Sequence, residues 1–106
     1  MFDALEVSIA FLEQLTSVEA HIRTKSSPLA KQLSRAAESI ALNLAEGRER
    51  RDGDRRRHFE MAAGSASEVT AALRIARVRR YITADEQAAA DALLDRLRAM
   101  LYRLTH

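Results

Sequence analysis

Apolar side chains recur at three- and four-residue steps along most of this sequence, and this spacing restricts the fold more than any other feature. Steps that average 3.6 residues place such side chains on one side of an α-helix, whereas a half-buried β-strand requires strict alternation. No segment shows that alternation, and only 3 Gly and 1 Pro interrupt the chain. The pattern predicts an all-α protein. In residues 3–25, the predicted first helix, the buried stripe is Leu5, Ile9, Leu12, Leu15, Val18 and Ile22.

The second helix is bounded by a proline and a glycine. It is predicted to begin near Pro28, because proline at the first helical position loses no hydrogen bond. It is predicted to end at Gly47, because glycine tolerates the left-handed conformation that terminates many helices. Its predicted buried stripe is Leu29, Leu33, Ala36, Ile40 and Leu44. A second face of small residues, which a helix of this chain or of another subunit could approach closely, consists of Ala37, Ala41 and Ala45.

A polar connection over residues 48–54 leads to a third helix, predicted from Asp54 or Arg55 to about Arg79. Its predicted inner face is Phe59, Ala62, Ala66, Val69, Leu73 and Ala76. Thr83 and Glu86 have the spacing of a capping box, which predicts the start of a fourth helix. Four helices of similar length with short connections predict an antiparallel, up-down-up-down four-helix bundle, with residues 1–106 as a single domain.

Composition limits the compartment and the kind of partner. The sequence has no cysteine, which excludes disulfides and thiolate metal sites. Asp3 and Glu6 stand where a signal peptide would require positive charge. No run approaches the roughly 18 apolar residues of a membrane span. We therefore expect a cytoplasmic protein with no membrane partner.

Patterns of catalysis and metal binding are lacking. The histidines, His21, His58 and His106, lie far apart in the sequence, and none has the spacing of a metal site. There is no glycine-rich phosphate loop, and no set of nucleophile, base and orienting residue. We expect a non-enzymatic protein with no catalytic residue, no metal, no cofactor and no small-molecule substrate.

Two polar or small residues inside the predicted helices require an explanation. Asn43 lies on the inward edge of the second helix and must find hydrogen-bond partners. We interpret it as a structural amide that fixes helix register or a subunit interface; the alternative is a functional polar network shared with Glu46. Gly64, followed by Ser65, lies inside the third helix at a cost of up to about 1 kcal/mol relative to alanine. We interpret Gly64 as a contact point for a neighbouring helix, within the chain or across subunits.

Basic residues are concentrated in the middle of the sequence. Residues 48–80 hold 10 basic and 5 acidic side chains, although the net charge of the chain is only +2. Guanidinium groups bind phosphates, so this region is a candidate nucleic-acid interface. Its predicted ligands are Arg48, Arg50, Arg51, Arg55, Arg56 and Arg57. A second cluster, Arg74, Arg77, Arg79 and Arg80, is expected roughly 30 Å away by helix rise. The alternative is a solvated face or a set of ion pairs between subunits.

Two motifs resemble those of a known family. The first comprises Gln32-Leu33, Arg35-Ala36, Ser39-Ile40, Asn43 and Ala45-Glu46-Gly47, and the second comprises Phe59, Ala62, Gly64-Ser65 and Glu68, with Tyr81-Ile82 after it. With these motifs, essentially the whole chain resembles the four helix bundle proteins of 23S rRNA intervening sequences. The resemblance implies an up-and-down bundle. It also implies structural or interface roles for Asn43, Glu46, Gly47, Gly64, Ser65 and Glu68.

Relatives of that family include the accessory variability determinant proteins of diversity-generating retroelements. Those proteins resemble homopentameric barrels whose basic surface binds a reverse transcriptase and nucleic acid. The resemblance therefore implies a homo-oligomer, and specifically a homopentamer, with RNA or a reverse transcriptase as partner. Our leading hypothesis is a binding or scaffold protein of this kind. The alternative is a purely structural or protein-interaction bundle that binds no nucleic acid.

Overall fold

Four α-helices make up the structure, a computed structural model that describes residues 3–106. They are α1 (Asp3–Lys25), α2 (Ser27–Arg48), α3 (Asp52–Val78) and α4 (Ala84–Thr105). No strand occurs among the described residues. The prediction of an all-α four-helix fold is confirmed.

Hydrogen bonds between helices show that neighbours run antiparallel. Between α2 and α3, Asn43 contacts His58, and Ser39, one turn earlier on α2, contacts Ser65 further along α3. From the first contact to the second, the residue number decreases on α2 and increases on α3, so the two helices run in opposite directions. The α3–α4 pair shows the same order at Arg56–Thr105 and Thr70–Arg98, and the α1–α4 pair at Gln14–Ala89 and His21–Glu86. The helices therefore form a closed up-down-up-down bundle.

The core follows the predicted stripes closely in α3 and less closely in α1. All six predicted inner positions of α3 are buried. In α1 the prediction was wrong at Ile9, which is 49% exposed, and it missed Phe11, which is fully buried. Val7, Phe11 and Leu15 follow steps of four, so they also share one helix face. The tertiary contacts select the face that buries the larger aromatic side chain.

The start of α2 differs slightly from the prediction. Ser26 is the N-cap, and its hydroxyl oxygen accepts a hydrogen bond from the Leu29 amide at 3.3 Å. The helix therefore begins at Ser27, and Pro28 occupies its second position. Proline is tolerated throughout this first turn because the amides there have no intrahelical acceptor.

Gly47 does not end α2 in the left-handed conformation, so this prediction was wrong. The helix continues to Arg48, and no glycine among the described residues has a positive φ. The reason for glycine is the approach of Phe59 from α3. A Cβ atom at position 47 would lie 2.5 Å from Cε1 and 2.8 Å from Cδ1 of that ring.

The two connections that flank α3 are tight. Only residues 49–51 separate α2 from α3, because Asp52 begins the new helix with φ 53°. This start is two residues before the predicted one. At the other end, Arg80 adopts φ 62°, and the Tyr81 amide donates to the Ala76 carbonyl at 2.8 Å. These features form a Schellman motif. The predicted capping box of Thr83 and Glu86 then starts α4 and is confirmed.

Candidate functional site

The six candidate arginines lie at one end of the bundle, which we call the basic end: Arg48, Arg50, Arg51, Arg55, Arg56 and Arg57. All six are exposed. The short connection between α2 and α3 brings them together, because it joins the last residue of one helix to the first turn of the next. Their side chains, however, have different surroundings.

Arg55 caps the C-terminus of α2. Its Nε donates to the carbonyls of Gly47 at 3.1 Å and Arg50 at 2.9 Å, and its Nη2 donates to the carbonyl of Arg48 at 3.1 Å. The last carbonyls of a helix have no intrahelical donor and carry partial negative charge. The Arg55 guanidinium supplies hydrogen-bond donors to these carbonyls and a positive charge beside them, so it has a structural role at this turn.

Arg56 caps the C-terminus of α4. Its Nη2 donates to the Thr105 carbonyl at 2.8 Å, at the C-terminus of that helix. Its Nε also lies 3.7 Å from a carboxylate oxygen of Glu60. This side chain therefore ties the start of α3 to the end of α4.

Arg50 and Arg57 form ion pairs at the surface. Arg50 contacts Glu46 at 3.1 Å and Asp54 at 3.8 Å, and Arg57 contacts Asp54 at 2.9 Å. The hydrogen bond from Arg57 lowers the pKa of Asp54 below its ordinary value, and the positive charges of Arg57 and Arg50 act in the same direction. Each of these side chains is half exposed or nearly so, and exposed pairs of this kind contribute little to stability.

The remaining two arginines differ from each other. Arg48 lies 3.9 Å from a carboxylate oxygen of Glu49. Arg51 is the N-cap residue of α3 with an extended backbone, and its side chain makes no hydrogen bond or ion pair within residues 3–106. Arg51 is thus the side chain of the basic end most accessible to an external anion.

Asn43 belongs to a polar network between α2 and α3. Its Nδ2 donates to the Ser39 carbonyl at 3.0 Å, and its Oδ1 lies 3.1 Å from Nδ1 of His58. The buried Ser65 hydroxyl donates to the Ser39 hydroxyl at 2.8 Å. Among the described residues, no buried side-chain nitrogen or oxygen lacks a hydrogen-bond partner. This arrangement supports the structural interpretation of Asn43.

Glu46 is outside that network. It pairs with Arg50 on the surface instead, so the alternative interpretation, in which Asn43 and Glu46 share a polar network, does not hold. His58 and Ser39 take part in its place. Ser39 was detectable in the sequence as the residue one turn before Asn43, whereas nothing in the local sequence identifies His58.

Gly64 and Glu68 lie on the outer side of α3. Both are exposed, and a Cβ atom at Gly64 would have no heavy atom within 4 Å. The predicted contact of Gly64 with a helix of the same chain was therefore wrong, and its contact across subunits stays a prediction. Ser65, by contrast, is buried against α2, as its hydrogen bond shows.

Within residues 3–106, no three His, Asp or Glu side chains are grouped so that they could hold a metal ion. No helix in the same range is long and apolar enough to cross a membrane.

Comparison with known proteins identifies the family. The model of the 23S rRNA-intervening sequence protein family matches residues 2–103. The chain belongs to this family. Three of the motif residues, Ser39, Asn43 and Ser65, take part in the antiparallel contact between α2 and α3 described above. No curated protein matches the sequence.

A solved structure supports the fold of this 23S rRNA-intervening sequence protein. It is described as a protein with unknown function from the S23 ribosomal protein family of Bacteroides thetaiotaomicron VPI-5482. The two chains superpose with a TM-score of 0.89 at 18% sequence identity, over 96% of this chain and 97% of the other. At this identity the similarity establishes the fold alone.

Proposed function

We propose that this protein is a non-enzymatic, homo-oligomeric binding module that binds RNA through its basic end. The observation that supports the proposal is the exposure of six arginines on the short connection between α2 and α3 and on the helix ends beside it. The family description links its members to 23S rRNA, so RNA is the first nucleic acid to test. The implied stoichiometry is a pentamer, which would repeat the basic end five times.

The surroundings of the arginines assign them different parts in this function. Arg55 and Arg56 hold the helix ends in place and so position the turn. Arg50 and Arg57 have exposed carboxylate partners, which a phosphate can replace at little cost because exposed pairs are weak. The side chain of Arg51 has no hydrogen-bond or ion-pair partner among residues 3–106. We therefore assign the direct phosphate contacts to Arg50, Arg51 and Arg57.

Salt-dependent RNA binding tests the proposal. The triple variant Arg50→Ala/Arg51→Ala/Arg57→Ala should bind a fluorescently labelled RNA hairpin more weakly, measured by anisotropy over a range of salt concentrations. The slope of log K against log salt should fall by about 2, because each lost phosphate contact removes roughly 0.7–0.9. Arg55 and Arg56 are left unchanged, since their replacement would disturb the fold.

The far end of α3 provides a matched control. The triple variant Arg74→Ala/Arg77→Ala/Arg79→Ala removes the same charge and should keep most of the affinity and slope. Equal losses in the two triple variants would mean that net charge alone attracts RNA, and would contradict a specific basic end. Unchanged binding in the Arg50/Arg51/Arg57 variant would reject the proposal.

The intramolecular contacts of the arginines at the basic end favour a second function. Five of the six arginines have a partner within the chain, which is also what a purely structural or protein-interaction bundle requires. In that case the wild-type protein would bind the RNA hairpin no more tightly than an uncharged bundle of the same size. A protein partner such as a reverse transcriptase would then be sought by co-purification with the wild type and with the triple variant.

A further inference from the structure

Tyr102 presents an aromatic ring at the surface of α4. It is 62% exposed, whereas Phe11 and Phe59 are buried and Tyr81 is only partly exposed. Tyr102 is thus the one Phe or Tyr among residues 3–106 that is largely open to solvent. An exposed aromatic ring offers its flat face to another planar group.

This ring lies at the basic end of the bundle. Tyr102 belongs to the last turn of α4, and Arg56 donates to the carbonyl of Thr105 in the same turn. Arg98 precedes Tyr102 by one helical turn and Arg103 follows it, and both arginines are exposed. The bundle measures 23 × 20 Å across. A short RNA strand that binds the arginines of the basic end can therefore also reach this ring.

His106 positions the ring of Tyr102. The two ring centroids lie 3.9 Å apart and the ring planes are inclined by 15°, so the rings are stacked. Nδ1 of His106 lies 3.1 Å from the Tyr102 carbonyl oxygen and 3.1 Å from the Thr105 hydroxyl oxygen, which holds the imidazole in place. His106 covers one face of the phenol ring, and the exposure of Tyr102 leaves the opposite face, towards the turn of Arg98, open to solvent.

An open aromatic face beside guanidinium groups has the chemistry of a site for unpaired nucleotides. A nucleobase stacks on an aromatic side chain, while basic side chains bind the phosphates of the same strand. In a duplex the faces of each internal base are covered by the neighbouring base pairs. An aromatic side chain therefore receives bases from single strands, loops and ends of RNA.

We propose that the basic end binds unpaired RNA and that one of its bases stacks on the open face of Tyr102. This role of Tyr102 depends on the RNA binding of the proposed function, and it specifies the class of RNA. The phosphates of the strand contact Arg50, Arg51 and Arg57, as assigned above. Tyr102 adds a contact that carries no charge.

Three labelled RNA probes test the stacking contact by anisotropy. They are a single strand of about 12 nucleotides without self-complementarity, the same strand in a duplex, and an abasic strand of equal length. Tyr102→Ala should bind the single strand about tenfold more weakly, which is the loss expected of one base stack. It should bind the other two probes as the wild type does, because the duplex pairs its bases and the abasic strand keeps only the phosphates.

Salt dependence distinguishes stacking from phosphate contacts. Stacking neutralises no phosphate, so Tyr102→Ala should lower the affinity for the single strand at every salt concentration and leave the slope of log K against log salt unchanged. The Arg50→Ala/Arg51→Ala/Arg57→Ala variant should reduce that slope. A reduced slope in Tyr102→Ala would show that the substitution disturbs the arginines, and would contradict a stacking role.

Two control variants keep the fold while they vary the ring. Tyr102→Phe retains an aromatic face and should bind the single strand within about twofold of the wild-type affinity. Leu42→Ala removes an apolar side chain of similar exposure, 66%, from α2 and should keep the wild-type affinity. Circular dichroism should show the same helix content in all these proteins.

Tyrosine fluorescence detects the contact directly. The sequence has no tryptophan and two tyrosines, Tyr81 and Tyr102, which lie at opposite ends of the bundle. In Tyr81→Phe the remaining emission comes from Tyr102, and it should fall when the single strand binds, because a base stacked on the phenol ring quenches its fluorescence. In Tyr102→Phe the emission of Tyr81 should stay constant.

The outcomes separate the stacking role from the proposed function. A wild type that binds none of the three probes rejects both. Binding of the single strand that depends on Arg50, Arg51 and Arg57 but is unchanged in Tyr102→Ala rejects only the stacking contact. An equal loss on all three probes in Tyr102→Ala also overturns the stacking contact, because the abasic strand has no base to stack.

Discussion

Gly47 is the residue at which the chain tolerates least change. A Cβ atom at position 47 would lie 2.5 Å and 2.8 Å from two ring carbons of Phe59. Both distances are shorter than non-bonded carbon atoms can approach. Gly47→Ala should therefore lower the free energy of unfolding by up to about 2 kcal/mol, since overpacking costs about 1–3 kcal/mol and alanine regains roughly 1 kcal/mol of helix propensity. Urea denaturation followed by circular dichroism measures the change.

Gly53 provides the control for that substitution. It lies in the first turn of α3, and a Cβ atom there would have no heavy atom within 4 Å. Gly53→Ala should change the free energy of unfolding by no more than about 0.5 kcal/mol. A loss at Gly53 as large as that at Gly47 would show that the Phe59 contact is not the cause.

Gly47 also shows which part of the fold could not be predicted from the sequence. The sequence correctly marked Gly47 as special, but the predicted reason was conformational, and the actual one is a contact with an aromatic ring twelve residues later in another helix. Likewise, periodicity alone allowed either Ile9 or Phe11 to face the core of α1. The local sequence pattern identifies the residues that are candidates for a buried or special position, and the tertiary contacts determine which of them occupy it.

At the scale of elements, the N-terminus of α4 is tied to α1 through Glu86. The carboxylate accepts the Thr83 amide hydrogen bond of the capping box, and it also contacts the His21 ring. The hydrogen bond from the Thr83 backbone, together with His21, lowers the pKa of Glu86 below its ordinary 4.5. A carboxylate with a lowered pKa stabilises the folded state at pH values above its ordinary pKa. This contribution is lost as the pH falls through the lower value.

Glu86→Gln should therefore be less stable than the wild type at neutral pH, and the difference should shrink as the pH falls below 4.5. Urea denaturation at a series of pH values measures it. Glu38→Gln is the control, because Glu38 is exposed on α2 and forms no hydrogen bond or ion pair within residues 3–106. A pH-independent deficit in Glu86→Gln would contradict the titration of this group as its cause.

Element boundaries were predictable wherever a local motif determines them. Thr83 and Glu86 marked the start of α4 correctly because a capping box needs only four consecutive residues. The start of α3 was predicted too late because Asp52 enters the helix with a positive φ that no local rule required. The roles of Arg55 and Arg56 were not predictable, since each caps a helix other than its own.

At the scale of the whole molecule, the order of the helices around the bundle follows their order in the chain. The sequence places its excess of basic residues in the middle of the chain. The two helices that carry this segment, α2 and α3, lie side by side, and α1 and α4 close the bundle against each other. The uneven distribution of charge along the sequence is therefore kept in the folded molecule.

If the exposed apolar residues of α3, which include Ile75 and Val78, are covered in the assembled protein, stability should depend on protein concentration, because assembly stabilises the folded chain by mass action. A tenfold increase in concentration should add about 1 kcal/mol per chain to the wild type, which raises Tm by about 4 °C for a domain of this size. Ile75→Glu/Val78→Glu should show one Tm at all concentrations, as expected of a monomer. Differential scanning calorimetry at two concentrations compares them. An equal concentration dependence in both proteins would mean that the stabilising contact lies on another surface, and a constant Tm in both would mean that assembly does not contribute to folding.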